Sequence, residues 1–171
     1  MASRHGRDLM MLFIIKGPVI YYVDATNGDD ENSGLTEALA WKTITKVNAT
    51  TLLPTETVLF KRGETFAGQL APTVSGEEGS VITFGAYGTG NRPIIDGTGG
   101  NCAFYLADEY HHLRFEHLDF KYSTGAYSTI YCYDAHDLYF LDCIGRDAAA
   151  RHGLSCNGSA HTVYNIIFES C

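Results

Sequence analysis

A short apolar pattern recurs three times in the last third of the chain. Its form is Φ-x-Φ-x-x-Φ, where Φ is apolar, and the copies are Leu113-x-Phe115-x-x-Leu118, Leu138-x-Phe140-x-x-Cys143 and Ile166-x-Phe168-x-x-Cys171. The interval between copies is nearly constant. Each copy is too short for a helix and alternates like a strand. The pattern therefore predicts repeated strand-bearing units that bury their apolar faces only by stacking.

The same spacing continues outside these three copies. Weaker copies stand upstream at Val58-x-Phe60 and Ile82-x-Phe84, and a second set comprises Phe104-x-Leu106, Ile130-x-Cys132 and Leu154-x-Cys156. Two strand columns with a period of about 25 residues predict an all-β solenoid, a parallel β-helix. We expect one inward column of Phe60, Phe84, Phe115, Phe140 and Phe168, and a second in which Cys132 lies over Cys156.

The pattern of the N-terminal region indicates a leader segment, followed by a cap over the first coil. Trp41, Ile44 and Val47 fall at helical spacing, which predicts a short amphipathic helix near residues 36–48 that covers the open end of the solenoid. Residues 1–19 form a leader in which two arginines precede a short apolar run without an A-x-A site. It is a signal remnant, a gene-prediction artefact or a vector-derived leader. The β-helix domain is expected over residues 20–171, and the protein is expected to be secreted or on the cell surface.

Composition and charge narrow the class of partner. The chain has 171 residues, of which 19% are charged, and its formal net charge is −8. This charge disfavours nucleic acid or an anionic membrane as a partner. It also disfavours an acidic polysaccharide, unless a metal or a local basic patch intervenes.

The five cysteines leave two interpretations open. Cys132 and Cys156 occupy equivalent positions in the repeat, as do Cys143 and Cys171, and equivalent residues of stacked strands lie ~4.8 Å apart. These pairs pack as small apolar residues inside the solenoid, or they form disulfides. The sequence contains no C-x-x-C motif that would indicate zinc.

Four segments resemble a known family. Tyr21–Gly28, Ala40–Ile44, Phe60–Gly63 and Ile82–Gly88 are similar to the N-terminal portion of right-handed parallel β-helix proteins of the pectate-lyase-like superfamily. Members are mostly secreted polysaccharide lyases, glycoside hydrolases or uncharacterised surface proteins. The resemblance spans residues 20–171, and its motifs imply the fold rather than an activity. Members usually continue for more coils and end in a cap, so we expect either a truncated domain or a last coil that another chain covers. In isolation, the uncapped coil is expected to self-associate through residues 162–171.

Two cations fall at matching positions of the repeat. Lys121 follows the apolar position Leu118, and Arg146 follows Cys143, at the same separation in the sequence. Tyr122 and Asp147 come directly after the two cations. The resemblance implies that β-helix lyases use a lysine or arginine as Brønsted base, often beside Ca²⁺. Two neighbouring cations lower each other's proton affinity, as a cationic base requires. The alternative is a pair of solvated surface cations among acidic neighbours.

Other candidates belong to acid–base or metal chemistry. His152 is a candidate acid or base, and Asp142 with Asp147 a candidate glycosidase carboxylate pair. The loop from Asp24 offers oxygen ligands for Ca²⁺, the one cofactor that the sequence suggests, from Asp24, Asn27, Asp29 and Asp30. This loop lacks the EF-hand spacing, and a solvated turn is the alternative.

Tyrosines supply the candidate sugar-binding residues. Tyr105 and Tyr131 alternate with inward-facing neighbours, so they are expected to point outward on adjacent coils, and Tyr122 is grouped with them. Exposed aromatic rings provide stacking surfaces for sugars, although tyrosine is also simply favoured in strands.

These features lead to one functional hypothesis and one alternative. The chain is expected to be the N-terminal part of a polysaccharide lyase or glycoside hydrolase acting on extracellular polysaccharide, with catalytic residues here or further along the protein. The alternative is a non-catalytic β-helix: a carbohydrate-binding module, an adhesin or tailspike-like segment, or a self-assembling structural unit.

Overall fold

Short strands dominate the part of the chain that the structure describes. The computed structural model describes residues 17–107, 109–124, 127–149, 154–157 and 166–169. The strands are β1 (Ile20–Val23), β2 (Thr57–Lys61), β3 (Thr65–Ala67), β4 (Ile82–Tyr87), β5 (Ile94–Asp96), β6 (Phe104–Leu106), β7 (His111–Glu116), β8 (Asp119–Ser123), β9 (Ile130–Tyr133), β10 (His136–Leu141), β11 (Ile144–Ala148), β12 (Leu154–Asn157) and β13 (Ile166–Glu169). A 3₁₀ helix spans Glu37–Leu39, and helix α1 spans Ile44–Asn48.

The strands form three sheets that run along one axis. The first sheet has the order β1-β2-β4-β7-β10-β13, the second β11-β8-β5-β3, and the third β12-β9-β6. Every pairing between these strands is parallel. A full coil contributes one strand to each sheet in turn, so the chain folds as a right-handed parallel β-helix. The predicted fold class is confirmed.

A column of phenylalanines fills the inside of the first sheet. Phe84, Phe115 and Phe140 are completely buried. Ring centroids lie 5.3 Å apart between Phe84 and Phe115, and 4.9 Å apart both between Phe115 and Phe140 and between Phe140 and Phe168. The rings are nearly parallel, so each contacts the next over its face.

The predicted place of Phe60 in this column is wrong. Val58 pairs with Phe84, whereas Phe60 pairs with Ala86 and packs edge-on against Phe66 at 5.1 Å. Both registers bury the same alternate residues, because a slip of two positions keeps every side chain on its own face. Alternation alone therefore could not choose between them.

The third sheet forms the second inward column as predicted. Phe104, Ile130 and Leu154 are in register, and so are Leu106, Cys132 and Cys156. Cys132 and Cys143 are buried. Burial agrees with packing as small apolar residues, and the choice between the two interpretations stays a prediction. Cys171 and the side chain of Cys156 lie outside the description.

A short cap covers the first coil, but its helix is shorter than predicted. Trp41 lies in an extended segment bridged to Val23, and the helix begins only at Ile44. Asp30 accounts for the difference, because its Oδ1 accepts hydrogen bonds from the backbone N–H groups of Lys42 and Thr43. Trp41 is 3% exposed and stacks on Tyr21, with ring centroids 4.5 Å apart.

Left-handed backbone conformations recur one coil apart. Four pairs at equivalent positions of neighbouring coils have φ between 50° and 82°: Glu109 and Asp134, His112 and Asp137, His117 and Asp142, Tyr122 and Asp147. Aspartate and histidine tolerate this conformation better than most residues other than glycine and asparagine. Each pair bends the chain at the same point of neighbouring coils, which lines up outward side chains along the axis. Among the described helices, neither has the length or apolar character needed to cross a bilayer.

Candidate functional site

An open cleft of about 500 Å³ follows the corner between the first and second sheets. Its walls are Arg62, Gly90, Asn91, Arg92, Ile94, Asp119, Asp142, Ile144 and Arg146. These residues come from the turns between β2 and β3, β4 and β5, and β10 and β11, and from the strands β5, β8 and β11 that follow such turns. Four successive coils therefore build this corner cleft, which extends along the solenoid axis as the binding surfaces of repeat proteins do.

Asp142 lies in a hydrogen-bonded chain with Arg92 and His117. Its Oδ1 contacts Nη2 of Arg92, whose Nε donates to the Asp142 carbonyl oxygen at 2.9 Å. Its Oδ2 lies 2.8 Å from Nδ1 of His117. The hydrogen bonds from His117 and then Arg92 hold the pKa of Asp142 below its usual value, so the carboxylate is ionised. When Nδ1 of His117 donates to it, Nε2 is the ring nitrogen that can exchange a proton with a ligand.

Asp119 fixes Arg146 at the other side of the cleft. Nε of Arg146 lies 2.8 and 2.9 Å from the two carboxylate oxygens of Asp119, whose side chain is 13% exposed. Hydrogen bonding to Asp119 raises the pKa of Arg146. The guanidinium is therefore a permanent cation at this position.

Lys121 and Arg146 lie side by side in register, as the repeat predicted. Each has its own carboxylate partner, because Nζ of Lys121 lies 3.3 Å from Oδ2 of Asp96. The expected mutual lowering of proton affinity is not found at Arg146, whose pKa is raised instead. Hydrogen bonding to Asp119 stabilises the charged form of Arg146, and together with the nearby carboxylates it outweighs the opposing effect of burial on this pKa.

The remaining candidates for catalysis lie at or beyond the edge of this site. Asp147 is 53% exposed, and its Oδ2 lies 3.3 Å from Nη1 of Arg146. It is absent from the walls of the cleft, whereas Asp142 is part of them. The proposed carboxylate pair is thus divided between the cleft and the neighbouring surface. His152 lies outside the described residues.

The candidate tyrosines lie on two different sheets. Tyr105 and Tyr131 stack on the third sheet with centroids 5.6 Å apart and ring planes 9° apart. Tyr127 packs edge-on against both rings. Tyr122 belongs to β8 of the second sheet, beside Lys121. The structure therefore separates the stacked tyrosines from the corner cleft, which lies between the first and second sheets.

The four candidate calcium ligands form hydrogen bonds within the N-terminal loop and with its neighbours. Burial opposes ionisation of Asp24, but hydrogen bonds from Lys61 and Asn27 outweigh it and lower the pKa of Asp24 to about 2. Asp30 binds the segment before α1, and Oδ1 of Asp29 accepts from the backbone N–H of Glu31 at 2.9 Å. Within the described ranges, no three His, Cys, Asp or Glu side chains are grouped as metal ligands. The loop is a hydrogen-bonded turn in this structure, and calcium binding by its oxygen atoms stays a prediction.

A second cleft, of about 450 Å³, lies beside a histidine cluster where β7 and β10 begin. His112, Asp137, Tyr139 and Glu78 are among its walls. The rings of His111 and His136 stack 4.8 Å apart, and Nδ1 of His136 lies 2.7 Å from Oδ2 of Asp137. Nδ1 of His111 lies 2.8 Å from Nδ1 of His112. Protonating one ring of this group makes it harder to protonate the others.

Acidification is expected to weaken the fold through His111. Burial lowers the pKa of His111, His136 and His112 lower it further, and Asp137 opposes them. The unfolded chain therefore binds a proton at a pH where folded His111 is still neutral. This contribution to stability is complete above about pH 6.5 and is lost as the pH falls toward the lowered pKa.

Urea unfolding at about pH 7.5 and about pH 5.5 measures this effect as a shift of the midpoint. The matched variant is His111→Asn, whose amide reaches the position of Nδ1 and does not titrate. We expect a smaller loss of stability between the two pH values in the variant. An identical loss in both proteins would contradict the assignment to His111.

Sequence reasoning missed most of the corner cleft. Arg62, Arg92 and Asp119 in its walls, and His117 beside Asp142, were not proposed as parts of one site. Their contacts join turns far apart in the chain; Arg92 and Asp142, for example, are 50 residues apart. One signal was available, because the interval from His117 to Asp142 equals the interval from Lys121 to Arg146.

Comparisons with known proteins agree with this architecture. No protein-family model matches the sequence. Lacto-N-biosidase of Bifidobacterium longum subsp. longum is 38% identical over 85 residues, which are 46% of this chain and 5% of that protein. The chain thus spans only a small part of the length of this relative.

Solved structures share the fold over most of the chain. The GH136 lacto-N-biosidase from Eubacterium ramulus has a TM-score of 0.63 and 21% identity, over 87% of this chain and 33% of that chain. A rhamnogalacturonan lyase has a TM-score of 0.56 and 16% identity, over 90% of this chain and 51% of that chain. At this identity the likeness is one of fold. It agrees with the resemblance to pectate-lyase-like β-helix proteins.

Proposed function

We propose that this chain forms the N-terminal coils of a secreted or cell-surface carbohydrate-active β-helix enzyme, and that the corner cleft binds its glycan. The observation that carries the proposal is a cleft along the axis whose wall residues Asp142 and Arg92 are hydrogen-bonded to each other, with His117 bonded to Asp142 beside them. A glycan chain lies naturally in such an elongated site. The similarity to lacto-N-biosidase and to the fold of a rhamnogalacturonan lyase supports the same class of substrate.

Between the two reactions, the electrostatics favour hydrolysis. A glycosidase needs an ionised carboxylate as base or nucleophile and a group that donates a proton. Asp142 is ionised, and His117 beside it is able to transfer a proton. A cationic base for elimination must lose its proton, which the raised pKa of Arg146 opposes. Lys121 is the remaining candidate for that role.

The test is an assay of neutral and acidic polysaccharides for binding, new reducing ends and new unsaturated ends, with and without Ca²⁺. For hydrolysis, Asp142→Asn and His117→Gln are each expected to lower turnover by about 100-fold or more. If Asp147→Asn no longer produces reducing ends, the catalytic site includes Asp147 on β11 of the second sheet. Unsaturated products that disappear in Lys121→Ala would identify a lyase. Binding and turnover unchanged in Asp142→Asn would contradict the corner cleft as the site.

A non-catalytic binding module is the second candidate, and the stacked tyrosines favour it. Tyr105 and Tyr131 place two parallel rings on successive coils, a surface suited to stacking against sugars. Binding without turnover, weakened by Tyr131→Ala and unaffected by Asp142→Asn, would identify this function. Self-association would involve β13 at the edge of the first sheet, where Phe168 is 37% exposed, and would make light scattering depend on concentration.

A further inference from the structure

The walls of the corner cleft carry a small excess of positive charge in a protein whose net charge is −8. Arg62, Arg92 and Arg146 contribute three formal positive charges, against two negative charges from Asp119 and Asp142. The walls therefore have an excess of one formal positive charge, and a local excess of one sign attracts the opposite sign, whatever the charge of the whole protein. The sequence disfavoured an acidic glycan unless a local basic patch intervened, and this cleft is such a patch.

Two of the three guanidinium groups are held in fixed positions and retain donors. A guanidinium has five N–H donors. Arg92 uses Nε and Nη2 on Asp142, and Arg146 uses Nε on Asp119 and Nη1 on Asp147. The hydrogen bonds found among the described residues leave Nη1 of Arg92 and Nη2 of Arg146 without a protein acceptor. Fixed groups with remaining donors bind a ligand without first losing side-chain freedom.

Arg62 differs from the other two arginines. It directly follows β2 and lies in the wall of the cleft. It forms no ion pair with any residue in the described ranges. Its charge is therefore not neutralised by a neighbouring carboxylate, and it supplies the excess positive charge of the site.

We propose that the corner cleft recognises an acidic group of the glycan, either the carboxylate of an acidic sugar or a sulfate ester. Arg62 is the principal partner, and Arg92 and Arg146 are flanking donors. Guanidinium groups match the planar, two-oxygen geometry of such anions and bind them with charge-assisted hydrogen bonds. The inference rests on the proposed function and deepens it by naming the class of substrate.

Paired glycans provide the test. Oligogalacturonides, rhamnogalacturonan and a sulfated galactan are compared with their carboxyl-reduced or desulfated counterparts by calorimetry at low ionic strength. We expect the acidic member of a pair to bind about tenfold more tightly or better, and added salt to reduce this preference. The pair that shows the preference identifies the anion as carboxylate or sulfate.

The variant Arg62→Gln is expected to reduce affinity for the acidic glycan by about tenfold or more. Arg114→Gln is the matched control, because Arg114 lies on the first sheet outside the cleft and pairs with Glu116. Equal binding of both members of every pair, unchanged in Arg62→Gln, would overturn the inference and leave the proposed function intact. An acidic preference that is lost only in Arg114→Gln would also overturn it. Binding of no glycan at all would overturn both proposals.

Discussion

Replacing Phe140 by alanine is expected to destabilise the protein by about 3–5 kcal/mol. Phe140 is completely buried and stacks between Phe115 and Phe168 at 4.9 Å on each side. Its ring also packs edge-on against Phe104 at 5.8 Å. Alanine would leave a cavity in the middle of the column, because stacked strands cannot approach more closely than their hydrogen bonds allow.

The free energy of unfolding, measured with urea, checks this prediction. Phe140→Leu keeps most of the volume and is expected to cost less than about 1.5 kcal/mol, which keeps the test informative when the alanine variant fails to fold. Tyr133→Ala is the control, because Tyr133 is 40% exposed on β9. A loss for Phe140→Ala no larger than that of the control would contradict the inward column.

Replacing Trp41 by alanine is expected to cost about 3–5 kcal/mol as well, although Trp41 lies in no strand or helix. It is the only tryptophan in the chain and covers the first coil against Tyr21. Its Nε1 also donates to the carbonyl oxygen of Asn32 at 3.1 Å. Removing the ring would expose the apolar end of the solenoid to water.

Circular dichroism follows the unfolding of this variant, since its fluorescence is lost with the ring. Trp41→Phe keeps a ring against Tyr21 and loses the hydrogen bond, so we expect it to cost about 1 kcal/mol. Equal losses in the alanine and phenylalanine variants would show that the hydrogen bond, rather than the ring, closes this end of the core.

The repeat in the sequence was sufficient to predict the parts of the fold that depend on period. Phe115, Phe140 and Phe168 align because their copies recur at nearly the same interval, and the pairing of Lys121 with Arg146 follows from that interval as well. Each interval joins neighbouring coils. The repeat interval in the sequence therefore predicts which residues pair between strands, wherever neighbouring coils have similar lengths.

Features that depend on a particular contact were not predicted. Phe60 was assigned to the wrong column because its strand alternates equally well in two registers. The helix near Trp41 was predicted too long because Asp30, in the preceding loop, accepts hydrogen bonds from the backbone of Lys42 and Thr43, and Thr43 is extended. The same limit applies to the corner cleft, where Arg92 and Asp142 meet across two coils. Hydrophobic pattern does not record which polar side chains meet at a turn.

The crystal structure of a complex between this chain and a glycan that it binds tests the central claim most directly. The account predicts that the glycan lies in the corner cleft, with an acidic group within hydrogen-bonding distance of Arg62 and a sugar beside Asp142 and His117. A glycan bound instead on Tyr105 and Tyr131 of the third sheet, with the corner cleft empty, would contradict it.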